Sequence, residues 1–552
     1  MVQVAVRLWL SAGQTLPVAT PDETGYLFAA RVLTGGPGAD VSFGTVYRSG
    51  YSLLLMPAFW ITHDPELGYR IALVINALVS ALMLPLAFLL LRRLSLTRRS
   101  SYALAHATAL LPAVVFYAEF VLTDAVLPVV VLGWLLLAHN WLTAPASTSP
   151  ARVACYGAGA GLLAAYAYIS HTRGVVLMAV TAGLIVVAAA RRWRTWRTAA
   201  VPLLVMGVVA ALGTLVNHHL LPLLYPNGDN DLSGNLLERV TSVHGWGWFL
   251  ALGTGQVWYQ IVATAGLAGI GLVVVAVVAG RRDADPRVRL LAVALILIVV
   301  GIAFATSAAL PDEYRVGNYA YGRYLACVTP ILFAVGAATL LRGSRRTVLR
   351  TSAAAAVLTL ATTGVIWLYA GDRLSRYTYN SFDFPEISVL TLDWSAFRLW
   401  TATLAGLGLL GLLVVVVGLP RRRGSLMAGL LIAANVLIVT TVTMQIARPL
   451  ARQTQAWTEL GDSVDRSEQP TVAVDWNVPW KLRMPQLYAL GWLESLTFDS
   501  SWQQPPTRAD VVILNWTSGL PAEDTWRKAP ADFYVAASRW TPEGGWVVWR
   551  RA

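Results

Sequence analysis

Charged side chains are scarce in this sequence. They make up 13% of its 552 residues, and lysine occurs only as Lys481 and Lys528. A soluble domain carries about 25% charged residues. With half that share and 56% hydrophobic residues, the chain has too little polar surface to cover a water-soluble fold. The scarcity excludes an ordinary soluble protein and predicts an integral membrane protein.

Cysteine is also rare, with Cys155 and Cys327 far apart in or beside apolar segments. The sequence has no Cys-x-x-Cys pair and no Cys/His cluster, which argues against a thiolate zinc or redox site. Both thiols are predicted to be small buried hydrophobic groups. P-loop, Rossmann, GxSxG and HExxH motifs are absent too, which argues against an ATP-driven pump or a membrane metalloprotease.

Apolar runs of roughly 20 residues, the length that crosses a hydrocarbon core, fill the first four fifths of the chain. We predict twelve transmembrane helices: 69–91, 101–118, 121–141, 153–169, 174–190, 199–221, 256–280, 288–309, 323–342, 350–370, 397–418 and 425–446. The stretch from Val2 to Leu16 is apolar but too short to span. It is interpreted as a first span that tilts or is partly missing, or as the result of a start placed too far downstream. With a complete first span, the count would be thirteen transmembrane helices.

Arginine explains the net charge of +12. Alternate connections are rich in it, from Arg92–Arg93 to the last such loop at Arg421–Arg423, and the positive-inside rule places these connections in the cytoplasm. The charge therefore does not indicate nucleic-acid binding. The other connections, including loops 17–68, 222–255, 310–322 and 371–396, are predicted to be extracytoplasmic, as is everything after residue 446.

The residue pattern changes after Met444. Residues 447–552 alternate polar and apolar residues, with β-like runs at 471–476, 509–516, 533–538 and 545–549 and a helical stretch at 484–493. This pattern predicts a small soluble α/β domain behind a transmembrane domain of residues 1–446. Ten of the 22 tryptophans fall in it. They either form a core or an interfacial belt, or stack on sugars.

Acidic residues mark two of the outside corners. Asp22 and Glu23 adjoin in the run PDETGY, and Glu119 and Asp124 flank an apolar corner that also holds Thr123. Carboxylates so close to hydrocarbon are costly, and a carboxylate can act as a general base or hold a divalent cation. Asp22 and Asp124 could instead be helix N-caps. Glu119 and Thr123, four residues apart, are expected on one helix face.

Arginines mark two further outside corners, against the positive-inside trend. Arg173 follows His171 in SHTRG, and Arg323 lies between Tyr321 and Tyr324. A guanidinium suits a phosphate, although Arg173 could snorkel to lipid headgroups and the tyrosines could be interface anchors. His244, Trp246 and Trp248 make the long loop 222–255 a candidate substrate loop.

Together these motifs resemble the GT-C glycosyltransferases. The resemblance rests on the Asp22-Glu23 pair in the first outside loop, the Tyr117-x-Glu119-x-x-x-Thr123-Asp124 corner, and the Gly322-Arg323-Tyr324 entry to a late span. The most similar branch holds protein O-mannosyltransferases and lipid A aminoarabinose transferases. Arginine-rich, lysine-poor composition indicates a high-GC genome, such as that of an actinobacterium.

The resemblance implies a donor sugar on a polyprenyl phosphate, transferred with inversion to an acceptor hydroxyl of a glycan, lipid or protein. Asp22 would be the general base beside Glu23, and Asp124 a second acidic residue beside Glu119. The donor phosphate would be bound by a set of basic and aromatic residues: Arg323, Arg173, Tyr324, Tyr321 and His171. A divalent cation (Mg, Mn or Ca) between Asp22 and Asp124 occurs in some relatives, but no residue here requires one.

Other functions remain open from sequence alone. A lipid-sugar flippase or transporter would place ionisable residues near the midplane of the membrane, often in repeated halves. Here the charges gather at the outer ends of the spans, and no repeat is visible. A non-catalytic envelope assembly protein would use the tryptophan-rich domain as its binding module. An oligosaccharide ligase or polymerase would place a catalytic loop late in the chain.

Overall fold

A computed structural model describes residues 1–230, 232–419, 423–460 and 463–552. Asp231 of the candidate substrate loop, and Arg421 and Arg422 of the last arginine-rich connection, lie outside this range. The helices are α1 Val2–Leu10, α2 Asp22–Leu33, α3 Ser49–Ile61, α4 Pro65–Ala81, α5 Met83–Arg93, α6 Arg98–Ala109, α7 Pro112–Val115, α8 Leu127–Thr143, α9 Pro150–Ser170, α10 Gly174–Ala190, α11 Trp196–Leu224, α12 Ser233–Thr241, α13 Val243–Ala263, α14 Leu267–Gly280, α15 Pro286–Ala309, α16 Thr329–Arg342, α17 Arg345–Ala370, α18 Arg373–Arg376, α19 Pro385–Thr391, α20 Leu399–Gly418, α21 Arg423–Val442, α22 Arg448–Thr458 and α23 Trp480–Ala489.

Most of these helices form a membrane-spanning bundle. Among the described residues, eight helical segments are long and apolar enough to cross a bilayer, or ten if each of two bent pairs is one span. Shorter apolar helices occur at Gly174–Ala190 and Thr329–Arg342. All twelve predicted spans overlap this set. The prediction of a multi-span membrane protein is confirmed.

Three spans differ from the prediction of straight helices. The 256–280 segment is the meeting of α13 and α14, bent by 117°, because Ala265 and Gly266 adopt positive φ there and end the helix. The 101–118 segment bends by 59° between α6 and α7, where Pro112 cannot continue the helical hydrogen bonds. The 323–342 helix begins only at Thr329, so Arg323 lies in a turn before it.

Small residues let the helices approach closely. A Cβ on Gly271 would lie 2.0 Å from the carbonyl oxygen of Leu332, and one on Gly336 would lie 2.0 Å from that of Leu267. Close backbone contact of this kind is how helices associate in membranes. Cys327 is buried as predicted, but Cys155 is exposed on α9, so that prediction is wrong: its face of the helix has no protein neighbour to cover it.

The C-terminal part is a small α/β domain, as predicted. Its strands are β1 Val472–Asp475, β2 Ser495–Phe498, β3 Val511–Trp516, β4 Phe533–Thr541 and β5 Gly544–Arg551. The sheet order is β2-β1-β3-β5-β4, with parallel pairing of β1 to its neighbours β2 and β3. The sequence pattern missed β2, which is short and only partly buried.

The domain is tied to the bundle from several sides. A helical segment continues from Gly424 to Thr458 through a π-helical turn at Thr443–Ala447. The Nε1 of Trp546 donates to the Trp457 carbonyl over 2.9 Å. On the other side, the Tyr488 hydroxyl donates to the carbonyl of Pro65 over 2.9 Å. The boundary at residue 446 stays a prediction, because one helical segment runs through it.

Candidate active site

Four charged side chains meet at one end of the bundle. The Nε of Arg323 donates to Asp124 Oδ2 over 2.5 Å, and its Nη1 pairs with Asp22 Oδ2. The Nη2 of Arg173 donates to Asp124 Oδ1 over 3.0 Å. The chain Asp22–Arg323–Asp124–Arg173, called here the charge network, therefore joins residues up to 301 positions apart.

Each member of the charge network comes from an irregular end of a helix. Asp22 opens α2, and Asp124 lies in a 3-10 turn at Thr123–Ala125. Arg173 occupies the turn between α9 and α10. Arg323 lies in a turn whose backbone is held from outside: Gln260 Nε2 donates to the Gly322 carbonyl over 3.0 Å. Polar groups lie here because unpaired backbone groups and charges are tolerated at the ends of membrane helices and not in the hydrocarbon core.

The charge network is buried from solvent except at Asp22. Asp124, Arg173 and Arg323 are 1%, 5% and 7% exposed, whereas the Asp22 side chain is 33% exposed. Burial by itself would lower the pKa of Arg323, but Asp124 and Asp22 raise it well above its ordinary value. Both guanidiniums therefore stay charged, and Asp22 is the carboxylate that a substrate can reach.

His171 and the two tyrosines surround the arginines. Arg173 approaches both ring nitrogens of His171, over 3.4 Å from Nε to Nδ1 and 3.1 Å from Nη2 to Nε2. Burial and Arg173 lower the pKa of His171 well below its ordinary value, so the ring is neutral near pH 7. Arg173 also donates to the carbonyl of Tyr324 over 3.3 Å. Tyr321 and Tyr324 pack edge to face with ring centroids 4.7 Å apart.

Glu23 lies outside the charge network although it adjoins Asp22. It is fully buried and accepts four hydrogen bonds. Its Oε2 accepts from the backbone N–H of Val18 and of Ala19, over 2.6 and 2.5 Å. Its Oε1 accepts from the Tyr69 hydroxyl and from the N–H of Val121, over 2.6 and 2.7 Å. Glu23 thus fastens the first loop to the corner that carries Asp124.

Replacing Glu23 by Gln should destabilise the protein by about 2 kcal/mol. Whichever way the amide turns, its NH2 faces donors that the carboxylate satisfied, and each buried unsatisfied group costs about 1–3 kcal/mol. The measurement is the unfolding transition in detergent. Glu66→Gln is the control, because Glu66 is exposed and 3.9 Å from its partner Arg70. Equal stability of both variants would show that Glu23 does not fasten the corner.

The alternatives of helix capping and snorkelling are wrong. Helices α2 and α8 have Pro21 and Val126 at their N-caps, without a side-chain cap. Asp22 and Asp124 bind arginines instead. Arg173 is buried and does not reach toward headgroups.

Glu119 and Thr123 do not share a helix face, because the chain between them is extended at Phe120 and Leu122. Glu119 is buried and accepts a 2.6 Å hydrogen bond from Thr443, away from the charge network.

The predicted substrate loop lies elsewhere in the described structure. His244 is exposed and Trp246 is half-exposed. Trp248 is buried and donates to the Ser307 carbonyl over 3.0 Å, beneath the guanidinium of Arg239. Their described contacts do not reach the charge network. A separate cavity of about 900 Å³ between α22 and the C-terminal domain is likewise lined by other residues.

Sequence reasoning missed two buried acids beside the Arg323 turn. The backbone carbonyl of Asp383 accepts from the Gly322 N–H over 3.1 Å, and burial raises the pKa of its carboxyl to about 6. Glu386 accepts from the Tyr259 hydroxyl over 2.6 Å, and burial raises its pKa to about 7. The signal was available: both acids occur in the apolar stretch SFDFPEI of loop 371–396.

The donor set does not fit the predicted divalent-cation site in this arrangement. Both oxygens of Asp124 accept from guanidiniums. Asp22 accepts from Arg323 and, over 3.0 Å, from the Tyr47 hydroxyl. Within the described residues, no group of three or more His, Cys, Asp or Glu is placed to hold a metal. A dication would have to displace an arginine from each carboxylate.

Comparisons with known proteins bear on the fold. No family model matches the chain, and no curated protein matches it in sequence. Two solved structures of ArnT from Cupriavidus metallidurans are similar in fold, each with a TM-score of 0.52. The apo structure is 16% identical, covering 99% of this chain and 96% of ArnT. The structure bound to undecaprenyl phosphate is 17% identical, covering 99% and 97%.

The likeness extends over both the bundle and the C-terminal domain, because almost the whole of each chain is covered. The predicted actinobacterial source is not tested by these structures and stays a prediction. The fold predicted from the motifs is confirmed: this chain has the GT-C fold, in the form seen in ArnT.

Proposed function

We propose that the chain is a membrane glycosyltransferase. It moves a sugar from a polyprenyl-phosphate donor to an acceptor hydroxyl of a cell-wall glycan, glycolipid or protein, with inversion. The carrying observation is the charge network, in which two buried arginines flank one accessible carboxylate. The undecaprenyl phosphate bound to a structure of the same fold supports a polyprenyl-phosphate donor here.

The arginines would bind the donor phosphate. Arg323 and Arg173 are held rigidly by Asp124, so their charge needs no rearrangement when negative charge develops on the leaving phosphate. Preorganised charge of this kind is the strongest form of transition-state stabilisation. His171 is neutral and supports Arg173 without adding charge. Tyr321 and Tyr324 fix the turn that presents Arg323.

Asp22 would be the base. It shares Arg323 with Asp124, and a donor phosphate would compete for that guanidinium and release the Asp22 carboxylate. Asp22 would then take the proton of the acceptor hydroxyl. The acceptor oxygen bonds to the anomeric carbon as the bond from that carbon to the phosphate oxygen breaks. Polyprenyl phosphate leaves with the electron pair of the broken bond on its phosphate oxygen, and attack from the opposite face inverts the anomeric centre.

The site would face away from the cytoplasm. Arginine-rich connections, such as that between α5 and α6, lie at the helix ends remote from Asp22 and Arg323, and such loops stay in the cytoplasm. The C-terminal domain would then also be extracytoplasmic. A protein of the cytoplasmic membrane with this orientation meets lipid-linked sugars after they have crossed the bilayer.

A transfer assay tests the proposal. Purified protein is incubated with radiolabelled polyprenyl-phosphate sugars and a membrane extract of the host, and we expect label in the extract together with free polyprenyl phosphate. Sealed vesicles loaded with the same donors provide the comparison. Donor that crosses the vesicle membrane without being consumed would establish a flippase and overturn the proposal.

A further inference from the structure

The C-terminal domain presents a polar edge where its parallel strands end. β1, β2 and β3 run in the same direction, so the residues that follow them gather at one edge of the sheet. This carboxyl edge is where open α/β sheets bind ligands. Here it carries Trp476 and Asn477 after β1, and Asp499 to Trp502 after β2.

A buried carboxylate organises this edge. Asp475 is fully buried and accepts from the N–H groups of Asn477, Ser500 and Asn515, each over 3.1 Å, and from the Ser500 hydroxyl over 2.7 Å. Asn477 Nδ2 in turn donates to Asp499 over 2.8 Å. The result is a fixed array of amide, carboxylate and hydroxyl groups at the surface.

Exposed aromatic rings accompany the polar array. Trp502 is 74% exposed and Phe43 is 62% exposed. Phe43 packs edge to face on Trp476, with ring centroids 5.7 Å apart. Its backbone has a φ of 61°, a conformation that bulky residues rarely adopt, and its N–H donates to the Gly228 carbonyl over 2.8 Å. The protein therefore holds an apolar ring in solvent at the expense of backbone strain.

We propose that this face binds a neutral oligosaccharide, and we call it the sheet-edge face: Phe43, Trp476, Asn477, Asp499, Ser501 and Trp502. Exposed rings stack on the apolar faces of sugars, while carboxylate, amide and hydroxyl groups bind sugar hydroxyls. Hydrogen bonds from Ser501 and Asn477 lower the pKa of Asp499 to about 2. An ionised acceptor suits hydroxyl donors and repels anionic lipid headgroups, so the chemistry favours a glycan over the bilayer.

The sheet-edge face is connected to the candidate active site. Phe43 and Tyr47 are four residues apart, a span of at most about 14 Å, and the Tyr47 hydroxyl donates to Asp22. An oligosaccharide held at Phe43 would therefore lie close enough to extend toward Asp22. Resting on the proposed function, this makes the glycan the acceptor rather than a lipid or protein. The binding itself does not depend on catalysis.

Binding is measured on the full chain in nanodiscs by calorimetry. The probes are linear mannose and arabinose oligosaccharides and the oligosaccharides released from the host envelope. We expect wild type to bind at least one probe, and Trp502→Ala and Phe43→Ala each to raise its Kd about tenfold, the usual effect of losing an aromatic anchor. Trp196→Ala is the control, since Trp196 is 73% exposed at the first residue of α11, the end of that helix opposite to the one that contacts the Phe43 segment.

Several outcomes would overturn the sheet-edge face as a glycan site. Wild type that binds none of the probes would do so, as would Trp502→Ala and Phe43→Ala variants that bind as well as wild type. If Trp502→Ala and Phe43→Ala instead abolished binding to anionic lipid vesicles and left glycan binding unchanged, the face would be a membrane contact. Wild type that binds the glycan but transfers sugar from none of the donors would refute the proposed function alone.

Discussion

Replacement of Asp22 by Asn is expected to reduce sugar transfer by about 100- to 10,000-fold, the range that a general base contributes. Asn has the shape of Asp and can still accept from Tyr47 and Arg323, but it cannot take the acceptor proton. Because Arg323 keeps Asp124 as a partner, the fold should survive. The loss should therefore appear in kcat.

The Michaelis constant for the donor separates a base from a binding group. Asn at position 22 competes less well for Arg323, so KM for the donor should stay unchanged or fall. Asp372→Asn is the matched control, since Asp372 is exposed and pairs with the exposed Arg376 at 2.9 Å. A normal kcat with a raised donor KM would assign Asp22 to substrate binding and leave the base unidentified.

Replacement of Asp124 by Asn should destabilise the protein by about 3–5 kcal/mol, the usual cost of removing one partner from a buried ion pair. Arg173 would then lose its carboxylate partner, and Arg323 would lose one of its two and keep Asp22. Transfer should also fall, because both arginines lose their fixed positions. The measurements are the unfolding transition and the transfer rate in the same detergent.

A double-mutant cycle tests whether Asp124 acts through the arginines. Asp124→Asn combined with Arg173→Gln should be less destabilising than the sum of the two single changes, because the double variant leaves one fewer uncompensated charge. Asp283→Asn serves as a control, since its ion pair with Arg281 is exposed and such pairs add little. Additive effects at Asp124 and Arg173 would contradict a shared role.

The sequence allowed the four members of the charge network to be chosen one by one. Charged residues beside hydrocarbon are costly and therefore conspicuous. All four lie at the predicted extracytoplasmic ends of apolar runs, so their convergence could be expected: Asp22, Asp124, Arg173 and Arg323. Which atoms pair could not be read, because the contacts join residues 49 to 301 positions apart.

The distinction between Asp22 and Glu23 was beyond sequence reasoning. Adjacent residues on a helix point about 100° apart, and the rotation of α2 in the bundle decides which carboxylate meets Arg323. That rotation is set by tertiary contacts, here by the hydrogen bonds that the Tyr69 hydroxyl and the Val121 N–H donate to Glu23. The helix face predicted for Glu119 and Thr123 was wrong for a related reason: their corner is extended rather than helical, and Glu119 accepts from Thr443.

The long sequence separations within the charge network have a consequence for biogenesis. The partner of Asp22 lies 301 residues further along the chain. Synthesis of that length takes roughly 15–60 s at normal translation rates. Asp124 finds Arg173 much earlier and can be neutralised during insertion. A ribosome that stalls before residue 323 therefore leaves an incomplete bundle with Asp22 unpaired at its end, a defect that membrane quality control could recognise. The pairing of Asp22 with Arg323 would thus mark the chain as inserted at least as far as the Arg323 turn.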